Sequence, residues 1–363
     1  MLSNQNIPSR EFFAPLHGLR GIAVLYVVIS HLGNSGLFLI PITHNAIGKV
    51  GVWIFFSLSA FLLTTHLCRS LANAENKLYA LLQYALNRVF RIFPLYIIIL
   101  IIHSTLGSMS VEAFYKHLLL IEGSGELWAI PVEFQYYLVI PLIAIGSVYL
   151  EKKRILYVVL AMGIFASLYD GITNPTSVFS NNLTIIPKLL PFFLGSVVAL
   201  LPLKILPLAK NQSQKILFAS IYFAAIISVT ILYRCLSKDC VPNSSAPWIS
   251  LAIGVIISGL IYTALQPNVI STFLSFKILV FIGEISFSLY LLHMLVITFV
   301  MRHSHFSSTT EAWLSLLLSI TLSIFTYYFI ERPGILAGKK IGLKLWPTSQ
   351  SPKTARRLGE SGL

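Results

Sequence analysis

The sequence predicts an all-α polytopic membrane protein, a bundle of about ten transmembrane helices. Of the 363 residues, 56% are hydrophobic and only 11% are charged, and the mean hydropathy is +0.80. The apolar residues form runs of the length that spans a bilayer as a helix, separated by short polar loops. A β-barrel would show alternation with a period of two instead. These observations exclude a soluble domain and a barrel.

Ten apolar segments define the predicted spans. They cover residues 14–33, 48–67, 89–106, 128–150, 154–170, 183–202, 215–233, 246–265, 278–301 and 312–336. No small-residue cleavage site follows the first run, so we expect it to be retained as a span. A cytoplasmic arm (1–13) and a basic cytoplasmic tail (337–363) flank the membrane domain (14–336), and Pro333 is expected to end the last helix.

The net charge of +13 follows this topology. With the N-terminus inside, 19 Lys and Arg residues fall on the inner side, 6 fall on the outer side, and Arg20 lies within the first span. This bias fits the positive-inside rule, with both termini cytoplasmic and an even number of spans. Exposed basic and aromatic clusters of a nucleic-acid interface are absent from the sequence, so we expect no nucleic-acid partner.

The first span carries two polar residues, Arg20 and His31. Eleven residues make about three helical turns, so both side chains share one face, roughly 16 Å apart. An Arg within a membrane helix costs on the order of 2.5–3.5 kcal/mol and usually faces the bundle interior or a water-filled cavity. Taken singly, each residue is explained by snorkelling to an interface. The shared face favours a polar path through the bundle.

The third span begins with Arg88 and Arg91, which are neighbours on one helical face. Two guanidiniums in this arrangement suit a phosphate or a carboxylate, although the positive-inside rule alone also explains arginines here. Glu133 lies in the apolar fourth span, near its predicted outer end and at the expected depth of His31. A histidine and a carboxylate at one depth suggest a base and its orienting partner; the alternative is a hydrogen bond near the interface.

The ninth span places Ser286, Tyr290 and His293 on one face, at steps of four and three. Such a stripe forms either helix–helix contacts or part of a polar site. At the inner end of the tenth span, Glu331 precedes Arg332. We expect Glu331 to pair with Arg20, because both lie toward the inner ends of their spans.

The three cysteines predict no metal site, because no cysteine and histidine spacing resembles one. Cys235 and Cys240 lie in one outer loop, where a disulfide is possible but undetermined. Cys68 lies at the inner side and is expected to be a free thiol.

Several segments, in this order, resemble the acyltransferase-3 family of membrane-bound O-acyltransferases. They are Arg20–x10–His31, GVWIFFSLSAFLL from Gly51, RVFRIFPLY from Arg88, LWAIPVEFQYYL from Leu127, GEISFSLYLLH from Gly283, and IERP from Ile330. The resemblance covers residues 14–335. The chain departs from the family pattern at Trp53 (commonly an acid), Ala60 (commonly Gly), Phe287 (commonly Tyr) and Met294–Leu295 (commonly aromatic–Pro). These departures concern the substrate pocket more than the reaction.

The resemblance implies an enzyme of the bacterial inner membrane that takes an acyl group, commonly acetyl, from cytoplasmic acyl-CoA. The acceptor is often a hydroxyl of a surface glycan such as O-antigen or exopolysaccharide, or of its lipid-linked precursor; some relatives acylate small molecules. Arg88 and Arg91 are expected to hold the phosphates of coenzyme A, Arg20 to line the passage, and His31 to act as general base. Glu133 orients His31 or contacts the acceptor, and Ser286, Tyr290 or His293 donates to the oxyanion.

The residues leave other points open. A transient acyl-enzyme, the oligomeric state and the contacts with membrane lipid are undetermined. Because no hydrolase-like domain follows the tenth span, we expect any extracytoplasmic partner to be a separate chain. The runner-up function is a transporter or flippase for a glycan or lipid-linked precursor, and a scaffold is a third. Consumption of an acyl donor would separate the enzyme from both.

Overall fold

The structure is a computed structural model that describes residues 10–39, 47–173, 183, 185–201, 211–237 and 246–345. Within these ranges the regular secondary structure is helical, without a β-strand, which confirms the all-α class. Most of the expected N-terminal arm, the end of the expected tail and Cys240 lie outside the described residues. The possible Cys235–Cys240 disulfide therefore also lies outside them.

The N-terminal half contains helices α1 to α7. They are α1 (Arg10–Asn34), α2 (Ile47–Asn73), α3 (Lys77–Thr105), α4 (Val111–Leu118), α5 (Ala129–Tyr149, after the 3-10 turn Gly125–Trp128), α6 (Lys152–Thr173) and α7 (Leu189–Leu200, after the 3-10 turn Ile186–Lys188).

The C-terminal half contains helices α8 to α14. They are α8 (Gln212–Ser237), α9 (Ala246–Ala264), α10 (Val269–Leu274), α11 (Lys277–Glu284), α12 (Ser286–His303), α13 (Ser308–Thr326) and, after the π-turn Tyr327–Glu331, α14 (Arg332–Leu345).

Seven segments among the described residues are long and apolar enough to cross a membrane. They match predicted spans one to four and eight to ten, and they cover Phe13–Asn34, Gly48–Asn73, Lys77–Thr105, Gly125–Tyr149, Pro247–Ala264, Ser286–His303 and Ser308–Leu345. Predicted spans five to seven contain α6, α7 and α8 but are not among the seven. The 12 residues of α7 rise only about 18 Å, against roughly 30 Å of hydrocarbon core. The count of ten is thus not confirmed.

Helices α1 and α2 form the centre of the bundle. In the most apolar part of α2, 78% of the residues are buried, against 28% in α3 and 17% in the segment that begins with α13. Trp53 and Phe61 of α2 are among the largest fully buried side chains. The polar residues of α1 are therefore held in the interior rather than at the lipid-facing surface.

Glycines bring α1 and α11 into backbone contact. A Cβ on Gly21 would meet the carbonyl of Leu279, and a Cβ on Gly283 would meet the carbonyl of His17. Small residues of this kind allow membrane helices to approach closely. The contact fixes the part of α1 that carries Arg20.

The predicted ninth span, 278–301, is two helices rather than one. Helix α11 ends at Glu284 and α12 begins at Ser286, with Ile285 between them at φ −85° and ψ 5°. Because α11 is held against α1 by the glycine contact, the chain turns before it continues as α12. The single-helix prediction is therefore wrong.

Pro333 does not end the last helix. After α13 the chain forms one π-turn, in which the N–H of Arg332 donates to the carbonyl of Tyr327, and it continues as a helix to Leu345. This wider turn relieves the clash between a proline ring and the carbonyl four residues before it. The expected break at Pro333 is wrong, and the described part of the expected tail is helical.

A stripe of glycines allows α14 to pack closely against α3. Gly334, Gly338 and Gly342 follow one another at intervals of four, and a Cβ on them would meet Phe90, again Phe90, and Gln83, respectively. Residues four apart lie on one helical face. The stripe therefore holds α14 along the half of α3 that begins at Lys77.

Candidate active site

The residues singled out in the sequence lie mainly in two clusters at different levels of α1, one around Arg20 near its middle and one around His31 in its last turn. The arginine cluster consists of Arg20, Arg88, Arg91, Glu133 and Glu331. The histidine cluster consists of His31, His103, His293 and Glu126. The predicted separation of Arg20 from His31 along one helix thus separates two sites of different chemistry.

Four elements build the arginine cluster. Helix α1 supplies Arg20, α3 supplies Arg88 and Arg91 from successive turns, α5 supplies Glu133, and the π-turn supplies Glu331. The Nη2 atom of Arg91 lies 3.9 Å from Oε1 of Glu331. Both carboxylates also act electrostatically on Arg20. The expected Arg20–Glu331 pair is therefore corrected: Arg91 forms the ion pair, and Arg20 is a neighbour in the same cluster.

The cluster carries more positive than negative charge in a buried setting. Three guanidiniums face two carboxylates, and Glu331 is only 1% exposed. The Nε atoms of Arg20 and Arg88 are buried without a hydrogen-bond partner among the described residues. Buried charges are stable when they are paired and hydrogen-bonded. An anion that accepts from these donors would complete the site.

Glu133 belongs to the arginine cluster and not to the histidine cluster. Its side chain forms a hydrogen bond with Tyr137, one turn later on α5, and interacts electrostatically with Arg20 and Arg88. The carboxylate that acts on His31 is Glu126 instead. The expectation that Glu133 orients His31 is therefore replaced by a different placement, beside the arginines.

The histidine cluster centres on two rings in contact. The rings of His31 and His293 have centroids 5.0 Å apart and are tilted by 57°. Glu126 interacts electrostatically with both rings. Its Oε1 atom lies 3.7 Å from Nε2 of His103. The cluster combines groups that take up a proton with a carboxylate that stabilises the resulting positive charge.

Hydrogen bonds fix the state of two side chains on α12. The Tyr290 hydroxyl donates to the backbone carbonyl of Glu126 at 2.6 Å. Nδ1 of His293 lies 2.6 Å from the carbonyl of Tyr290, so Nδ1 carries the proton. Nε2 of a neutral His293 is then an acceptor, and it has no hydrogen-bond partner among the described residues. His293 is thus arranged to receive a proton rather than to donate to an oxyanion.

A cavity borders the arginine cluster. Its polar lining is Arg20, Glu133, Ser286, Tyr290 and Ser59; its apolar lining is Val52, Phe55, Phe56, Ala129, Ile130 and Phe287. Ser286 is fully buried, and its hydroxyl has no partner among the described residues. The cavity is thus bordered by two members of the arginine cluster and by Tyr290, whose hydroxyl bonds the carbonyl of Glu126, and it presents the Ser286 hydroxyl.

Two further predicted residues lie apart. Arg332 is exposed and stands over the ring of Tyr328, with 5.8 Å between its Cζ and the ring centroid; its neighbour Glu331 points into the bundle and accepts from Ser288 at 2.9 Å. The pair therefore does not act as a unit. Cys68 forms no disulfide with another described residue, in line with the prediction, and its Sγ atom accepts a hydrogen bond from the Ser147 hydroxyl at 3.1 Å. In the described part of the chain, no group of three or more His, Cys, Asp or Glu side chains is arranged to hold a metal ion.

Sequence reasoning missed Glu126 and His103 as site residues. His103 stands near the end of α3, at the depth where the topology also places His31, and Glu126 lies two residues before the predicted start of the fourth span. The rule that selected Glu133, a carboxylate at the depth of a histidine, applies to these residues as well. The predicted span begins at residue 128, three residues after the observed segment begins at Gly125, which is why the prediction leaves Glu126 out.

Comparison with known proteins places the chain in a family. The family model Acyl_transf_3, described as "Acyltransferase domain", matches residues 14–329. The chain is 25% identical to "Putative O-acetyltransferase SAR0937" of Staphylococcus aureus (strain MRSA252) over 395 residues, covering 95% of this chain and 61% of that protein.

A second relative is "O-acetyltransferase OatA" of Staphylococcus aureus (strain NCTC 8325 / PS 47), 25% identical over 367 residues, covering 90% of this chain and 57% of that protein. The chain thus spans about three fifths of the length of these curated relatives. No solved structure matches it. Since the family model covers most of the chain, the protein belongs to the acyltransferase family 3.

Proposed function

We propose that this protein is a membrane O-acyltransferase that moves an acyl group, foremost acetyl, from cytoplasmic acyl-CoA to a hydroxyl of a cell-surface glycan. Family membership and the names of the relatives support O-acetylation. The observation that carries the proposal is a cavity lined by Arg20 of the arginine cluster and by Tyr290, whose ring lies 5.9 Å from that of His293 in the histidine cluster. The charge bias of the loops supports a bacterial inner-membrane location with both termini cytoplasmic.

The arginine cluster is the proposed donor end. Arg88 and Arg91 bind the phosphates of coenzyme A, because paired guanidiniums give bidentate, charge-assisted hydrogen bonds. Lys339 of α14 interacts electrostatically with Arg88 and adds to the positive charge there. Arg20 lies deeper, in the wall of the cavity. Since Arg20 and His31 are roughly 16 Å apart along α1, the extended pantetheine arm is the part of the donor that bridges the two ends.

The histidine cluster is the proposed reaction end. The acceptor hydroxyl oxygen attacks the thioester carbonyl carbon as its proton moves to His31, which acts as general base. The Ser286 hydroxyl donates to the oxyanion that forms. The carbon–sulfur bond then breaks and His31 returns the proton to sulfur, so the products are an ester and free coenzyme A. An acyl-enzyme route would use the same base in two steps.

Replacement of His31 tests the base directly. In cells that naturally make the protein, His31→Ala should remove the acetyl mass increment from the surface glycans, as seen by mass spectrometry. Loss of a general base costs about 10²–10⁴-fold in rate. The matched control is His303→Ala, which changes an exposed histidine of α12 bonded to the carbonyl of Phe299 in its own helix.

The same experiment separates the alternatives. Near-normal acetylation with His31→Ala would contradict the general-base role. A larger increment in the unmodified cells would keep the chemistry and change the donor. No glycan difference between cells with and without the protein would favour a small-molecule acceptor or a transporter. Release of free coenzyme A by the purified protein then distinguishes these two, because a transporter consumes no acyl donor.

A further inference from the structure

Glu126 is a buried carboxylate that the proposed reaction does not yet use. It is 6% exposed, and its Oε1 atom has no hydrogen-bond partner among the described residues. Burying an ionised carboxylate is costly unless nearby groups compensate for its charge. Its nearest ionisable contact is His103, 3.7 Å away, and His293 also acts on it.

The loop before α5 holds Glu126 in place. The buried His117 bonds to the carbonyl of Ala113 at 2.8 Å through Nδ1, and its Nε2 accepts from the backbone N–H of Ser124 at 3.0 Å. Gly125 follows at φ +55°, which glycine adopts at little cost. Tyr290 of α12 then donates to the carbonyl of Glu126 itself. The carboxylate is thus positioned by contacts on both sides of it.

This placement sets a fixed negative charge beside the two rings in contact. Glu126 acts on His31 and on His293, whose rings are 5.0 Å apart. When His31 accepts a proton, a positive charge forms in a buried site, and water is poorly placed to stabilise it. A carboxylate already present there stabilises that charge without any reorganisation.

We propose that Glu126 is the positioning residue of the histidine cluster, which orients His31 and His293 and stabilises the positive charge that His31 gains during acyl transfer. The inference rests on the proposed function. It assigns to Glu126 the role that the sequence suggested for Glu133. Glu126 touches neither the donor nor the acceptor in this scheme; it acts through the histidines.

The test uses inside-out membrane vesicles from the cells that make the protein, with labelled acetyl-CoA as donor and the membrane's own glycans as acceptor. Glu126→Gln keeps the shape and removes the charge. We expect kcat to fall about 10²-fold, at the lower end of what general-base catalysis contributes, with KM for acetyl-CoA within about two-fold of the unmodified value. Glu126→Asp keeps the charge and should restore at least a tenth of kcat.

The control is Glu112→Gln, which removes an exposed carboxylate of α4 in the same segment, paired with Lys116. It should leave both constants unchanged. A Glu126→Gln protein with kcat within two-fold of the unmodified protein would overturn the inference. So would equal losses in the Gln and Asp proteins together with a fall in thermal stability, because that pattern indicates a structural role.

The outcomes also separate this inference from the function on which it rests. If vesicles with the unmodified protein transfer no label, or if His31→Ala transfers it normally, the proposed function fails and the inference fails with it. If the unmodified protein is active, His31→Ala is inactive and Glu126→Gln is unaffected, only the role of Glu126 is overturned.

Discussion

At the residue scale, the polar side chains of α12 differ in whether their donor hydrogens already form hydrogen bonds. The Tyr290 hydroxyl donates to the carbonyl of Glu126, and Nδ1 of His293 bonds the carbonyl of Tyr290. The Ser286 hydroxyl lines the cavity without a partner among the described residues. Because an oxyanion needs a donor that is not already engaged, Ser286 is the best suited of the three.

Ser286→Ala should therefore lower kcat about 10²–10³-fold, the usual cost of losing one oxyanion donor. KM for acetyl-CoA should stay nearly constant, since the Ser286 hydroxyl forms no hydrogen bond with Arg88 or Arg91. The rates are measured in the vesicle assay with labelled acetyl-CoA. Ser323→Ala is the control, because this buried serine of α13 bonds within its own helix, to the carbonyl of Ser319. Equal kcat values in both variants would contradict the oxyanion role.

The sequence predicted some of these positions well because helix geometry alone decides them. Eleven residues on one helix are enough to place Arg20 and His31 at different depths on a common face. The predicted depth of Glu133 differs from the observed one because the predicted fourth span begins at residue 128. The 3-10 turn Gly125–Trp128 already belongs to that segment, so Glu133 lies deeper than expected and Glu126 takes the outer position.

At the element scale, backbone contacts between helices decide where the site residues lie. Gly21 and Gly283 allow α1 and α11 to touch, and Arg20 stands next to the first of these glycines. A larger residue there cannot be accommodated by a side-chain rotation, because the neighbouring atoms belong to the backbone of Leu279 and Gly283. The arginine cluster therefore depends on a packing contact that has no chemistry of its own.

Gly21→Ala should destabilise the protein by about 1–3 kcal/mol, the typical cost of overpacking a core. It should also lower activity, because α1 must shift away from α11. Thermal unfolding in detergent measures the first effect, and the vesicle assay measures the second. Gly259→Ala in α9 is the matched control, since a Cβ there meets nothing within 4 Å. Equal melting temperatures for the two variants would show that the bundle tolerates the shift.

The sequence predicts which segments are helical, but it does not predict where a helix is interrupted or continues through a proline. Apolar runs of span length predict helices locally, and each predicted span contains one. The turn at Ile285 depends on the contact between α11 and α1, which are more than 200 residues apart. The continuation through Pro333 likewise depends on the π-turn and on the glycines that seat α14 against α3. Such nonlocal contacts leave little trace in a pattern of hydropathy.

At the scale of the whole molecule, the ends of α3 bear on the number of spans. Helix α4 follows the C-terminal end of α3, while α14 lies against Gln83 and Phe90 in its N-terminal half. Helices α4 and α14 therefore lie toward opposite ends of α3, which requires an odd number of crossings between them. Four of the seven candidate segments follow α4, an even number. Crossing by α6, α7 and α8 as well would make seven, and ten in total.

A membrane-impermeant maleimide tests whether an odd number of membrane crossings separates α4 from α14. In a background where Cys68, Cys235 and Cys240 are replaced by serine, Glu112→Cys places a thiol on α4 and Lys340→Cys places one on α14, both at exposed positions. We expect Glu112→Cys to react in intact spheroplasts and Lys340→Cys to react only in inside-out vesicles. Detergent-solubilised protein, in which both must react, is the control. If both variants reacted from the same side, the total number of spans would be odd. If Glu112→Cys reacted only in inside-out vesicles and Lys340→Cys in intact spheroplasts, the arginine cluster would lie outside, away from cytoplasmic acyl-CoA.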